Sequence, residues 1–87
     1  MPLPSIHLNG TSKERLVAAL CDASDALNVA LDKMRQTAPN GRDYYRQGPE
    51  ALERADAEHM DRMRRVAAVK DEVDALTIAI NEGGYKK

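Results

Sequence analysis

The stretch Pro39-Asn-Gly-Arg-Asp-Tyr-Tyr-Arg-Gln-Gly48 decides the fold, because it interrupts two segments that otherwise carry helical patterns. Proline disfavours helical geometry in the residue before it, and Asn40-Gly41 is typical of a turn that takes the left-handed conformation. The stretch is somewhat longer than the roughly two to eight residues that usually join bundle helices. A single break of this kind predicts an all-α fold, an antiparallel two-helix hairpin whose loop covers residues 38–48.

Upstream of the loop, the sequence predicts a helix over about residues 12–37. Residues 11–14, Thr-Ser-Lys-Glu, match a capping box in which Thr11 caps the helix and Glu14 reaches back to it. Apolar residues then recur at alternating spacings of four and three, which places them on one helical stripe. The stripe consists of Leu16, Leu20, Ala23, Leu27, Ala30 and Met34. Cys21 flanks it and is expected to be a semi-buried core residue.

Downstream of the loop, Gly48-Pro49-Glu50 opens a second helix, predicted over about residues 49–81. Proline at the first helical position loses no needed hydrogen bond, and an acidic first turn favours the positive helix end. The second stripe again follows spacings of three and four. It consists of Leu52, Ala55, His59, Arg62, Val66, Val69, Val73, Leu76 and Ile80.

His59 and Arg62 interrupt the second stripe with two polar residues in succession. One interpretation is that the stripe drifts, so that Met63 takes the core position and Arg62 extends outward. The alternative is that His59 and Arg62 fix the helix register by pairing with Asp22 or Asp25 of the first helix.

The remaining segments complete a single domain over residues 1–87. Residues 1–10 contain two prolines and predict an extended N-terminal arm, and residues 82–87 form a short tail. If the unequal helices pair from the loop, the second overhangs the first by about two turns at its C-terminal end. The arm is then expected to cover that overhang. The expected contacts join Leu3, Ile6 and Leu8 to Leu76, Ile78 and Ile80.

Composition narrows the classes of function. Thirteen basic and fourteen acidic residues give a net charge of −1, without the positive field that accompanies phosphate-backbone binding. Cys21 is the single cysteine, so no intramolecular disulfide can form. No segment approaches the ~20 apolar residues of a membrane span, and no signal peptide is recognisable. These features favour a cytoplasmic protein without a membrane partner.

No motif in the sequence carries catalytic or cofactor chemistry. Asp56 and His59 are spaced like half of a di-metal helical site, yet a complete site needs further inward-facing carboxylates. The sequence has no Gly-rich phosphate loop and no zinc-ligand cluster, and nothing near Cys21 would prepare a thiolate. The expectation is a non-enzymatic protein with no cofactor, no metal and no catalytic residue.

The basic run Arg62-Met63-Arg64-Arg65 is the one feature that suggests nucleic acid. Together with Arg54 and Lys70 it could contact phosphates. The competing interpretation is a solvated face whose charges pair with the neighbouring acids Glu58, Asp61 and Asp71. Nucleic acid is therefore not favoured, and a small nucleic-acid-binding regulator is kept as the alternative function.

The loop carries the candidate interaction residues Arg42, Tyr44, Tyr45 and Arg46. Tyrosine and arginine are favoured at protein interfaces because they bury a large area and keep a polar group available. The competing interpretation is that one or both rings fold back and close the open end of the hairpin.

Apolar residues outside the two stripes predict self-association. Val29, Met60 and Ile78 would be left on the surface of an isolated hairpin. The chain has no Phe or Trp, so its core is thin, and small domains without disulfides or metals often gain stability by oligomerising. A second copy would bury these residues in a helical bundle, and a homodimer is the preferred assembly.

Three segments resemble small proteins encoded by tailed phages and prophages. They are His-Leu-Asn-Gly-Thr-Ser at 7–12, Ala-Pro-Asn-Gly-Arg-Asp-Tyr-Tyr at 38–45 and Gln-Gly-Pro at 47–49. Members of this group are short helical hairpins without an assigned role. The resemblance implies a bacterial cytoplasmic or virion-associated setting. It also implies a phage or host protein as partner, and a structural or assembly-accessory role.

Overall fold

The chain folds as an all-α antiparallel hairpin, which confirms the predicted fold class. The computed structural model describes residues 2–3 and 12–82. Its elements are α1 (Lys13–Arg35), α2 (Gly41–Tyr44) and α3 (Pro49–Asn81). The two long helices pack against each other, and the short α2 packs on α3.

Helix α1 is shorter than predicted at both ends. Its N-cap is Ser12, whose hydroxyl accepts a hydrogen bond from the backbone amide of Arg15 at 3.2 Å, so the cap predicted at Thr11 was one residue early. At the other end the backbone amide of Thr37 donates to the carbonyl of Met34 at 2.9 Å, and its side-chain hydroxyl donates to the same carbonyl at 2.7 Å. These three-residue hydrogen bonds tighten the last turn and end the α-helix at Arg35.

The connection contains structure that the sequence pattern did not predict. Asn40 has an extended backbone, and its side-chain oxygen accepts from the amide of Asp43, which caps α2. The prediction of a left-handed turn at Asn40-Gly41 was therefore wrong. The positive φ of the described residues belongs to Gly48, at 93°, directly before Pro49.

Helix α3 begins and ends as predicted. Gly48 is its N-cap residue and Pro49 lies in the first turn, where the missing amide proton of proline is not needed. Asn81 is the last helical residue, and the backbone amide of Glu82 donates to the carbonyl of Ile78 at 2.9 Å.

The overhang of α3 lies at the opposite end from the predicted one. Lys13 reaches the carbonyl of Asn81 at 3.5 Å, so the start of α1 is level with the end of α3. Arg35 borders the same surface depression as Met63 near the other end of α1. The first 14 or so residues of α3, about 21 Å, therefore extend beyond α1. The loop and α2 lie along this part, which accounts for the length of the connection.

The contact line between the helices, here called the seam, is narrower than the apolar stripes. In α1 it consists of half-buried or buried residues at Val17, Leu20, Ser24, Leu27, Leu31 and Met34. In α3 it consists of Met63, Val66, Lys70, Val73, Thr77 and Ile80. Compared with the predicted stripes, several positions in both helices lie one residue later along the chain. The predicted core positions Ala23, Arg62 and Val69 are exposed.

His59 and Arg62 follow the drift interpretation. Arg62 is exposed and Met63 is half-buried, as that interpretation requires. His59 is 7% exposed, and it belongs to the part of α3 that lies beyond the end of α1. Asp22 and Asp25 flank Ser24, which contacts Asp74 far along α3, so the proposed pairing of His59 and Arg62 with these aspartates is wrong.

Two further predictions concern single residues and the arm. Cys21 is exposed and not semi-buried, because the seam passes through Leu20 and Ser24 and turns Cys21 to the side of the hairpin. Of the arm, Leu3 is half-buried, whereas Ile6 and Leu8 lie outside the described residues. The arm contact therefore stays a prediction.

Candidate functional site

The loop residues predicted to recognise a partner lie on and directly after α2. Asn40 holds this short helix in place, since its side-chain amide also donates to the Asp43 carboxylate at 3.0 Å. Arg42, Tyr45 and Arg46 are exposed, whereas Tyr44 is half-buried. The two tyrosines therefore have different environments, although they are neighbours in the chain.

Tyr44 is the ring that folds back onto the hairpin. It borders a depression of about 300 Å³ whose other residues come from both sides of the loop. They are Gly41, Tyr45, Gly48, Pro49 and Leu52. The interpretation that a ring closes the end of the hairpin thus applies to Tyr44.

Tyr45 and Arg46 form a small unit on the surface. Tyr45 is 70% exposed, and the Arg46 Nε donates to its hydroxyl oxygen at 3.0 Å. The guanidinium carbon of Arg46 also lies 5.6 Å from the centre of the Tyr45 ring. Such an arrangement orders an aromatic surface beside a cation before any partner binds, which lowers the entropy lost on binding. Arg42 forms no contact with this unit among the described hydrogen bonds and ion pairs.

Two seam residues and a neighbouring aspartate form a polar cluster that the sequence interpretation missed. The Ser24 hydroxyl donates to one carboxylate oxygen of Asp74 at 2.5 Å, across the two helices. The Lys70 ammonium donates to the other oxygen at 2.8 Å. We call Ser24, Lys70 and Asp74 the polar bridge. It joins residues that are 50 positions apart in the chain and so fixes the register of the helices.

The polar bridge shifts the titration of its charged members. The hydrogen bond from Lys70, followed by the one from Ser24, holds the pKa of Asp74 below its ordinary value of 3.8. The hydrogen bond to Asp74 raises the pKa of Lys70 above 10.5. The sequence signal that could have revealed the bridge is the Lys70–Asp74 spacing of four, combined with a serine at a core position.

Several apolar residues that the seam leaves out lie together on one side of the hairpin. A residue one position before a seam residue lies about 100° around its helix, and in an antiparallel pair these residues point to the same side. Ala23 and Ala30 of α1 and Val69 and Leu76 of α3 precede seam positions. We call this side the Val69 face. Val69 itself is 48% exposed.

The opposite side of the hairpin is more polar. Residues that follow seam positions meet there, together with two seam residues, in a depression of about 350 Å³. It is lined by Cys21, Ser24, Asp25, Asp74, Thr77 and Ile78. Ile78 is 55% exposed and Met60, farther along α3 on the same side, is 58% exposed. Because this depression brings together residues that follow seam positions in both helices, it supports the assignment of the two sides.

The basic run on α3 is paired with an acid. The Arg65 Nε lies 3.0 Å from one carboxylate oxygen of Asp61, and an Arg64 nitrogen lies 3.8 Å from the other. All three side chains are exposed. These contacts correspond to the solvated-face interpretation, in which neighbouring acids reduce the local positive charge.

The described residues contain neither a metal-binding cluster nor a membrane-spanning helix. Within residues 2–3 and 12–82, no group of three or more His, Cys, Asp or Glu side chains could hold a metal ion. Asp56 and His59 therefore have no third ligand in this part of the chain. None of the described helices has the length and apolar character needed to cross a bilayer.

Comparisons with protein families, with curated proteins and with solved structures found no match to this chain. The protein class is therefore defined by the fold itself, an all-α helical hairpin.

Proposed function

We propose that the chain is a non-enzymatic interaction protein that works as a self-associated helical hairpin. The observation that supports this is the imbalance between buried and exposed apolar side chains. Among the described residues, only Leu31 and Ile80 are buried large apolar side chains. Val29, Met60, Val69 and Ile78 remain about half exposed.

This imbalance matters because buried apolar area is the main source of stability. Each Å² of apolar surface removed from water contributes roughly 25 cal/mol, and a small domain with few buried side chains gains little in isolation. A second copy that covers half-exposed apolar side chains adds part of the missing area. Self-association therefore stabilises the fold and presents two copies of every surface feature.

The loop provides the surface for a different partner. Tyr45 and Arg46 are exposed and hydrogen-bonded to each other, whereas Tyr44 is half-buried beneath the loop. In the proposed assembly these loop residues bind a phage or host protein. The phage resemblance of the sequence supports a structural or assembly-accessory role in a bacterial cytoplasm or a virion.

The test of this proposal is the dependence of unfolding on protein concentration. If folding and dimerisation are coupled, the urea midpoint rises when the concentration of protein is raised, because mass action favours the dimer. A hundredfold range of concentration is sufficient to reveal the shift. A midpoint that stays constant over this range contradicts the proposal.

The alternative function is a regulator that binds nucleic acid through the basic run of α3. Its candidate contacts are Arg62, Arg64 and Arg65, of which the last two are paired with Asp61. Binding of this kind would weaken steeply as salt is added. Absence of a mobility shift with short duplex DNA and RNA at low salt would exclude this alternative.

A further inference from the structure

We propose that the second copy docks on the Val69 face, with α3 of each copy antiparallel to α3 of the other and a twofold axis passing near Val69. This inference rests on the proposed self-association and specifies its interface. It leaves Met60 and Ile78, on the opposite side of the hairpin, outside the contact.

The Val69 face has the shape that close packing of helices requires. Ala23 and Ala30 contribute small side chains from α1, and Val69 and Leu76 contribute larger ones from α3. Side chains of like size meet in this arrangement: Val69 and Leu76 pack between the two α3 helices, and the alanines let the two α1 helices approach each other closely. The same face also carries the apolar positions that the predicted stripes included and the seam does not use.

The charges at the edge of this face match a twofold axis near Val69. Arg65 lies one turn before Val69 and Glu72 lies one turn after it, on the same side of α3. When two α3 helices run antiparallel about this point, Arg65 of each copy meets Glu72 of the other. The symmetry thus produces two complementary ion pairs from one arginine and one glutamate in each chain.

Arg65 is free to change its partner. Its contact with Asp61 at 3.0 Å is an exposed pair within the same helix. Exposed pairs of this kind contribute little to stability, so exchanging Asp61 for Glu72 of the second copy costs little.

The charges disfavour the other symmetric way of stacking two hairpins on this face. In that arrangement α3 lies on α1 of the second copy, and residues at the same height meet. The contact of Ser24 with Asp74 fixes those heights and places Lys33 level with Arg65. Arg65 would then lie beside Lys33 of the second copy, and the two positive charges would repel each other.

The face is large enough for a specific dimer. Helix α1 contains 23 residues and is about 35 Å long, and two adjacent helices are about 20 Å wide. About an axis at Val69 the two α3 helices overlap over about 25 residues and the two α1 helices over about 13, so the flat projection is about 570 Å² per copy, or roughly 1,100 Å² in total, above the ~1,000 Å² expected of a specific interface.

A charge-exchange experiment tests this interface. Arg65→Glu leaves two glutamates facing two glutamates, and Glu72→Arg leaves two arginines facing two arginines. Each variant alone is expected to dissociate about tenfold or more readily than the wild type, as measured by sedimentation velocity. An equimolar mixture of the two variants restores both attractive pairs and is expected to form a heterodimer with affinity close to that of the wild type.

Cysteine cross-linking provides the second measurement, in a Cys21→Ser background. Val69→Cys places a thiol near the axis, and mild oxidation with diamide is expected to join two copies through a disulfide. Ile78→Cys is the matched control, since it has similar exposure on the opposite side of the hairpin. It is expected to cross-link at least about tenfold more slowly.

The outcomes separate this interface from self-association in general. Restoration by the mixture, together with selective cross-linking at position 69, supports the proposed interface. If the wild type is dimeric and the single charge variants are equally dimeric, the proposed interface is wrong and self-association stands. The same holds if position 78 cross-links faster than position 69. A wild type that is monomeric at all concentrations overturns both.

Discussion

At the scale of single residues, the polar bridge places a serine and a lysine in the seam, where the pattern predicts apolar side chains, and pairs both with Asp74. Ser24 replaces Ala23 in the seam because its hydroxyl reaches Asp74. Lys70 replaces Val69 because its aliphatic part can pack while its ammonium group pairs with the same carboxylate. Polar groups that satisfy one another in this way can fix which residues of two helices meet.

The bridge predicts a pH dependence of stability. The pKa of Asp74 is lowered in the folded chain, so its contribution is present above 3.8 and is lost as the pH falls through the lower folded value. The pKa of Lys70 is raised, so its contribution is present below 10.5 and is lost as the pH rises through the higher folded value.

The measurement is the difference in urea midpoint between the wild type and Asp74→Asn. This difference is expected to be positive at pH 7 and to become smaller between pH 4 and pH 2. Asp56→Asn, at an exposed carboxylate elsewhere on α3, serves as the control and should follow the wild type. An Asp74→Asn difference that is the same at pH 7 and pH 2 would refute the role assigned to the bridge.

Gly48 supplies a second prediction, which concerns the backbone. Its φ of 93° and ψ of 163° are accessible almost only to glycine. Replacement by alanine should lower the free energy of unfolding by about 1–3 kcal/mol. Chemical denaturation would measure this loss.

Gly41→Ala is the matched control. An added Cβ would meet nothing within 4 Å at either glycine, and only Gly48 has a positive φ. Gly41 begins α2, so alanine there is expected to be neutral or to stabilise by up to about 1 kcal/mol. Equal effects of the two substitutions would mean that backbone strain at Gly48 does not limit stability.

At the scale of elements, the loop and α2 cover the part of α3 that α1 does not reach. In this arrangement Tyr44 stabilises the loop, whereas Tyr45 is exposed for recognition. Tyr44→Ala is expected to lower the free energy of unfolding by about 1–2 kcal/mol, because a half-buried ring is removed from the loop. Tyr45→Ala should change it by less than about 0.5 kcal/mol, since that ring is largely exposed.

Thermal and chemical denaturation of the two tyrosine variants would check this prediction. A larger loss for Tyr45→Ala than for Tyr44→Ala would reverse the assignment. The affinity of the chain for a partner protein that binds the loop should fall mainly in Tyr45→Ala. The two variants therefore distinguish a structural role in the loop from a role in recognition.

The sequence predicts those elements whose signals are local. Proline after Gly48 marks the start of α3, and the polar, glycine-rich residues after Ile80 mark its end. The short helix α2 is missed because Asn40-Gly41 is compatible with both a left-handed turn and a helix cap. The ambiguity is resolved by the side chain of Asp43, whose role depends on the rest of the loop.

The position of the seam could not be predicted from periodicity, because it depends on contacts between distant residues. Ala23 and Ala30 are small enough to lie inside or outside, so they do not define the inner face of α1. The overhang was placed at the wrong end for a similar reason. The pattern gives the lengths of the helices, and only contacts such as Ser24–Asp74 fix how far one slides along the other.

At the scale of the whole molecule, the central claim is that this hairpin is half of a larger bundle. Its apolar residues are divided between a narrow seam and the two outer sides. The polar bridge fixes the pairing of α1 with α3, and the Val69 face remains available for a second copy. The exposed loop then recurs at both ends of the proposed assembly.

Sedimentation equilibrium of the wild-type chain tests this claim most directly. The chain has a mass of 9.6 kDa, so a dimer has a mass of about 19 kDa. A mass close to the dimer value is expected at micromolar and higher concentrations, falling towards the single-chain value on dilution. A mass that stays at 9.6 kDa over the whole range of concentration would contradict it.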